Sequence, residues 1–206
     1  NGMTFYEADL DIDLTSPVIS YDVPFSNELR SLDFLRGTVL PPWLHQLVSS
    51  KKREGSEAVI TNAVTGGHLF VSDALPVIEG IEGLPVPLTL KTDKTQTSDS
   101  TITLHSDSAV DTGKIPVRGG YVFYAPKEGD SKEPQGWYGK PPLHGRQTTA
   151  INHETGAASK GQLVLVAALP EGLSMRAHVW MSDELWTACG GDDVLTKEHK
   201  ARLGSR

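Results

Sequence analysis

Only one cysteine, Cys189, occurs in the chain, so no internal disulfide can form. A zinc site would have to rely on seven histidines that are scattered rather than clustered, and no metal or other cofactor is expected. The thiol itself reads as a small buried or half-buried hydrophobe. Long apolar runs are missing as well. The longest, "LVLVAALP" ending at Pro170, is far too short to span a bilayer, and the opening residues lack a basic stretch followed by an apolar one. These absences predict a cytoplasmic protein with no membrane partner, Asn1 and Gly2 preceding a native Met3. An excess of cations is lacking too, since 19 Lys and Arg stand against 26 Asp and Glu, a formal charge of −7. Nonspecific coating of nucleic acid depends on clustered cations that displace counterions, so that class is disfavoured, while a local basic track stays open.

What is present suits one core, or a core with a satellite, in 206 residues. "YEADLDIDL" alternates without a fault: Tyr6, Ala8, Leu10, Ile12 and Leu14 share one face, and Glu7, Asp9, Asp11 and Asp13 the other. That is the period of a half-buried strand, and its acidic row must be solvated or neutralised by a partner or cation. "LRGTVLPPWLHQLVSS" predicts a short amphipathic helix with Trp43, Leu44, Leu47 and Val48 on one stripe and Pro42 in the first turn. "AVITNAV" and "HLFVSDALPV", separated by Gly66 and Gly67, read as an antiparallel strand pair.

From Pro76 to Gly120 the composition turns to Gly, Pro, Thr, Ser and Asp, which predicts an irregular insertion over 76–120. "GYVFYAP" reads as a strand. Residues 137–170 read as a hairpin arm, two strand candidates joined by a polar segment from Asn152 to Gly161. "LSMRAHVWM" alternates as a further strand, and Ser182 is placed to cap a helix through "DELWTAC". Long central strands, few helices and no internal repeat predict an α+β fold with an antiparallel sheet.

"CGGDDVL", Cys189 to Leu195, admits two readings. A catalytic palm would hold two metal ions on such a turn at the tip of a hairpin. The flanks here have helical character, so the economical reading is that Gly190 and Gly191 end one helix and Asp192 or Asp193 caps the next.

The segment from Pro134 to Gly161 reverses the charge balance of the chain. Lys140, Arg146 and Lys160, with His144 and His153, outweigh Glu154, and Trp137 and Tyr138 are interleaved. An extended hairpin of this composition offers charges for phosphates and faces on which unpaired bases stack. The alternative is a solvated loop whose aromatics pack on the sheet.

Three segments, in order, carry a resemblance. "LDFLRGTVLPPWLHQL" resembles the "YIPGSSLRGAL" segment of CRISPR-associated RAMP proteins, the ferredoxin-like (RRM-like) subunits of RNA-guided effector complexes. "TAINHETGAASKGQLVLVAALPEG" is similar to the β-hairpin arm of that family, and "ARLGSR" looks like the start of its glycine-rich loop. Within the family, the order and "FVSDALPV" look most like the subunits of type III effectors, in particular the type III-D subunit that caps the 5′ handle of the guide RNA.

The resemblance implies a single ferredoxin-like domain over 3–206, the amino-terminal part of a longer two-domain protein. It implies a noncatalytic guide-RNA-binding and assembly subunit in antiviral defence, with guide RNA and other type III subunits as partners. It also implies that Arg36, Gly37 and Thr38, before the first helix, offer backbone N–H groups to RNA phosphates. A plain loop in which Gly37 turns the chain is the other reading, and Pro41 and Pro42 depart from the family pattern.

Target-cutting relatives use an aspartate whose position falls near Asn27 here, which cannot act as a carboxylate. Asp22 and Asp33 are the nearest substitutes, and with either one the rival reading is a metal-dependent RNase subunit. His45, the nearest histidine to the place of a general acid or base, reads as packing beside Trp43 and Leu44. A third reading is an unrelated β-rich protein-interaction module.

Overall fold

Apolar residues alternating with acids form the first strand, β1 (Phe5–Asp13). The computed structural model describes residues 2–20, 28–51, 53–93, 114–124, 136–151, 155 and 158–203; for 28–30, 93, 136–137, 146–151 and 158–164 the backbone alone is described. After β1 come β2 (Glu28–Arg30), a 3-10 turn at Gly37–Val39, α1 (Pro41–Ser49) and α2 (Glu57–Thr61). Short strands follow: β3 (Leu69–Val71), β4 (Leu75–Ile78), β5 (Ile81–Glu82), β6 (Leu84–Pro85), β7 (Lys91–Asp93) and β8 (Lys114–Pro116). Then come β9 (Tyr121–Tyr124), β10 (Gly136–Gly139), β11 (His144–Ile151), β12 (Ala158–Ala168), β13 (Ser174–Ser182), α3 (Asp183–Cys189) and α4 (Gly191–Leu195).

The architecture is α+β with mostly antiparallel strands. The main sheet runs in the order β1-β13-β4-β5, with β3 also paired to β13. β1 and β13 pair in unbroken register from Phe5 opposite Ser182 to Asp13 opposite Ser174. Period two decides which side of β13 is buried: Met175, Ala177, Val179 and Met181 turn inward, and Arg176, His178 and Trp180 outward. The inward set forms one core with Leu44 and Val48 of α1, Ile60 of α2, and Leu185 and Ala188 of α3. Each Met, Val, Leu or Ile side chain among them contributes roughly 1.5–3 kcal/mol when fully buried.

α1 starts at Pro41 as its prolines dictate, and Leu44 and Val48 are the deepest members of its stripe. "AVITNAV" is a correction: it is the helix α2 and its exit turn, and "HLFVSDALPV" supplies β3 and β4 to β13 instead of pairing with it. Val59, Ile60 and Thr61 favour a strand locally, but Ile60 and Ala63, three apart, are both buried in the core. Packing overrides propensity there. The segment read as an irregular insertion contributes most of β4 to the main sheet. It also supplies β6 to a three-stranded sheet with β9 and β10, and a separate β7–β8 pair. Val117, Tyr121, Val122 and Phe123 are buried outside the main core, as a satellite cluster.

Of the hairpin arm expected over 137–170, β11 pairs with β12 from His144 opposite Ala168, with a register shift between Thr149 and Ile151, whereas Trp137 and Tyr138 lie in β10, paired with β9 in a different sheet. β12 also pairs with β2, in parallel, which the sequence did not predict. Its base is fastened to the core by buried Leu169, bridged to Val18.

Gly190 ends α3 with φ 66°, a left-handed conformation that favours glycine. Asp192 and Asp193 lie in the first turn of α4, after Gly190 at the cap, so neither acid is itself the cap. The turn between the two helices is punctuation, as the flanking pattern predicted.

Candidate nucleic-acid interface

The loop Arg36–Gly37–Thr38 is held by its own protein. The Gly37 amide donates to Asp73 Oδ1 at 2.6 Å and the Arg36 amide to Ser20 Oγ at 3.3 Å. Gly37 is buried, and a Cβ there would lie 2.7 Å from the Ser72 carbonyl oxygen, so glycine is required by close approach of two backbones. Two of the three amides expected to face phosphate, those of Arg36 and Gly37, are therefore occupied. Only the side chains of Arg36 and Thr38 are exposed.

Lys140 is exposed, and its Nζ donates to the Arg118 carbonyl at 3.1 Å. Beside it the Tyr138 hydroxyl donates to the Gly119 carbonyl at 3.0 Å. Both side chains thus clamp one turn, which also carries the exposed Arg118. His144 opens β11 and is exposed. Arg146 pairs with Val166 across the hairpin, and Lys160 lies six residues before Val166 on β12. At a rise of about 3.3 Å per residue the two backbone positions are about 20 Å apart along the strand. His153 lies outside the described residues.

Asp33 is half-buried and accepts a 2.9 Å hydrogen bond from the Tyr121 hydroxyl. Burial pushes the Tyr121 phenol well above its ordinary range, and the hydrogen bond and charge of Asp33 push it further. Asp22 lies outside the described residues. Among the described residues no group of three or more His, Cys, Asp and Glu is arranged to hold a metal ion. His45 Nε2 meets the Ile60 carbonyl at 3.0 Å and so ties α1 to α2. Burial pushes the Cys189 thiol up, consistent with the small hydrophobe expected. Among the described residues no helix is long and apolar enough to cross a membrane.

The acidic row of β1 finds hydrogen-bond partners within the chain. Arg176 Nε donates to Asp11 at 2.7 Å, and Ser174 Oγ donates to Asp13 at 2.6 Å. The His178 ring sits between Asp9 at 3.0 Å and Glu82 at 2.8 Å. The sequence reading left these acids to solvent, a partner or a cation and did not name Arg176 or His178. The signal was available, because both occupy the outward positions of "LSMRAHVWM".

A second feature went unread. An open groove of about 770 Å³ runs between α1 and the segment after α4, lined by Trp43, Gln46, Leu47, His199, Lys200 and Arg202 among others. Trp43 and His199 meet edge to face at 6.3 Å, and His199 Nε2 is anchored at 2.7 Å from the Val194 carbonyl. The groove joins an aromatic face to two cations, while the outer face of the main sheet, with Glu7, Asp9, Asp11, Asp13 and Glu82, repels phosphate.

No protein-family model matches the chain, and no curated protein matches it.

Proposed function

We propose that this chain is a noncatalytic guide-RNA-binding and assembly subunit of a type III CRISPR effector, built on a ferredoxin-like sheet. The observation that carries the reading is the long β11–β12 hairpin, which sets Arg146 and Lys160 on an extended ladder outside the main sheet. The order of the core elements supports it. A strand, a helical segment, a strand pair and a second helix, with β13 between β1 and β4, follow the first part of a ferredoxin-like arrangement. The groove beside Trp43, with Lys200 and Arg202, adds a second place where a base can stack near phosphate charges. RNA approaches along these cationic regions and not over the acidic sheet face, unlike RRM-type binding on the sheet.

The test is binding of a short single-stranded guide-like RNA, followed by fluorescence anisotropy across a salt series. Arg146→Ala with Lys160→Ala removes two cations, so the slope of log affinity against log salt falls by about 1.4. Lys200→Ala with Arg202→Ala produces a similar fall if the groove is part of the same track. An unchanged slope in both double variants would sink the proposal.

A further inference from the structure

Hydrogen-bond arithmetic does not close at His178 unless its ring is charged. Nδ1 lies 3.0 Å from Asp9 Oδ1, and Nε2 lies 2.8 Å from Glu82 Oε2. Ionised carboxylates only accept, and a neutral imidazole has a single N–H to give. In that form the ring satisfies one acid and turns a lone pair to the other. With both acids ionised, the two bonds coexist only in the imidazolium, which donates from each nitrogen.

The backbone holds the ring where it must meet both. The His178 amide donates to Ser72 Oγ at 2.8 Å, and the His178 carbonyl accepts from the Ser72 amide at 2.9 Å. Asp9 is the cross-strand partner of His178 on β1, whereas Glu82 belongs to β5, two residues long and laddered among the described residues to β4 alone. Glu82 is also the more enclosed acid, with 18% of its side chain exposed against 55% for Asp9. The next residue, Gly83, is buried, donates to the Pro76 carbonyl at 2.8 Å, and packs so near Phe123 that a Cβ would lie 2.8 Å from the ring. From Glu82 the chain passes straight into the satellite cluster.

The other charged groups on the surrounding elements are Glu7 and Asp11 on β1, Glu79 in the β4–β5 turn, Asp73 after Ser72, and Arg176 on β13 itself. Asp73 is engaged by the Gly37 amide. Arg176 makes a parallel reach, from Asp11 at 2.7 Å to the Gly80 carbonyl at 3.4 Å, and a guanidinium keeps its charge at any pH in which the fold is studied. Of these two links across β13, one is permanent and the other depends on a proton.

We propose that His178 is a proton-operated latch: the imidazolium fastens β5, and with it the entry to the sheet of β6, β9 and β10, to β1, and the neutral ring releases it. The fastening is present below the ring's titration and is lost as pH rises through it. This device does not rest on the RNA reading.

The test uses the full chain. Nitrogen NMR reads the protonation of both His178 ring nitrogens, and hydrogen exchange, expressed as protection relative to the intrinsic rate at each pH, reads the hold on β5. Both nitrogens should carry hydrogen at the pH where β5 is best protected. As the ring loses its proton, protection at Ile81, Glu82 and Gly83 should fall by at least about threefold, the scale of a partly exposed ion pair, while the β1–β13 ladder keeps its own. His178→Gln cannot span both acids, so protection of β5 should be low at every pH. Glu82→Gln is the sharper variant, because its amide can donate to the bare nitrogen of a neutral ring and β5 should then stay protected through the titration. A neutral ring at the pH of full protection would overturn the proposal, as would protection of β5 that ignores the ring's titration. The same pH-dependent fall in either variant, or a fall shared by the β1–β13 ladder, would do so too. A ring that does not titrate between about pH 5 and 9 is no switch.

Discussion

Replacing Gly37 with alanine sets a methyl group 2.7 Å from the Ser72 carbonyl oxygen and 2.9 Å from that of Val71. Both neighbours are backbone, so no side chain can rotate away and the 3-10 turn must move. Overpacking of this kind costs about 1–3 kcal/mol. The same movement stretches the 2.6 Å bond from the Gly37 amide to Asp73, and a hydrogen bond to a charged group is worth about 1.5–3 kcal/mol. One displacement relieves the clash and loses the bond together, so the two do not simply add; about 2–4 kcal/mol is expected. In urea, followed by circular dichroism and tryptophan fluorescence, the midpoint should fall by about 1 M with an unchanged slope. Thr38→Ala, one residue on and exposed, should stay within about 0.5 kcal/mol of the parent. If Gly37→Ala unfolds at the parent midpoint, the close backbone packing is wrong. If it also loses RNA, the glycine serves the ligand and not the fold.

Tyr121→Phe probes the buried phenol beside Asp33. Its folded-state pKa lies above the unfolded value of about 10, so its contribution is complete below that pH and is lost as pH rises further, at about 1.4 kcal/mol per unit. Denaturant midpoints measured from pH 9 to 12 should therefore fall more steeply for the parent than for the phenylalanine variant; parallel curves would refute the assignment. Ser182→Ala removes a hydroxyl that accepts from the Leu185 amide at 3.2 Å and shares a 2.9 Å hydrogen bond with His68 Nδ1. A loss of about 1–2 kcal/mol in thermal or urea unfolding is expected, and a change below about 0.3 kcal/mol would show that the cap is dispensable.

The α+β class and the mostly antiparallel sheet were legible because β1, β13, α1 and α3 each carry a strong period or a cap. Ser182 announced α3, and alternation announced β13. α2 was not legible, because Val59, Ile60 and Thr61 prefer a strand until the core claims Ile60 and Ala63. Strands of two or three residues, such as β5 and β6, hold too few side chains to show any period. The parallel β2–β12 pair joins segments far apart in the chain, and nothing local encodes it. The candidate site was legible as a composition, in the basic arm, but not as a geometry. The bonds that occupy Gly37 and Lys140 come from Asp73 and Arg118, and the groove beside Trp43 is closed by residues from the other end of the chain.

His178 works as a cross-brace. β1 and β5 share no ladder, yet one imidazole on β13 touches a carboxylate from each, at 3.0 and 2.8 Å. The ring has a fixed width, so the curl of this end of the sheet is gauged by the gap between Asp9 and Glu82. A flatter sheet would leave one of its nitrogens out of reach.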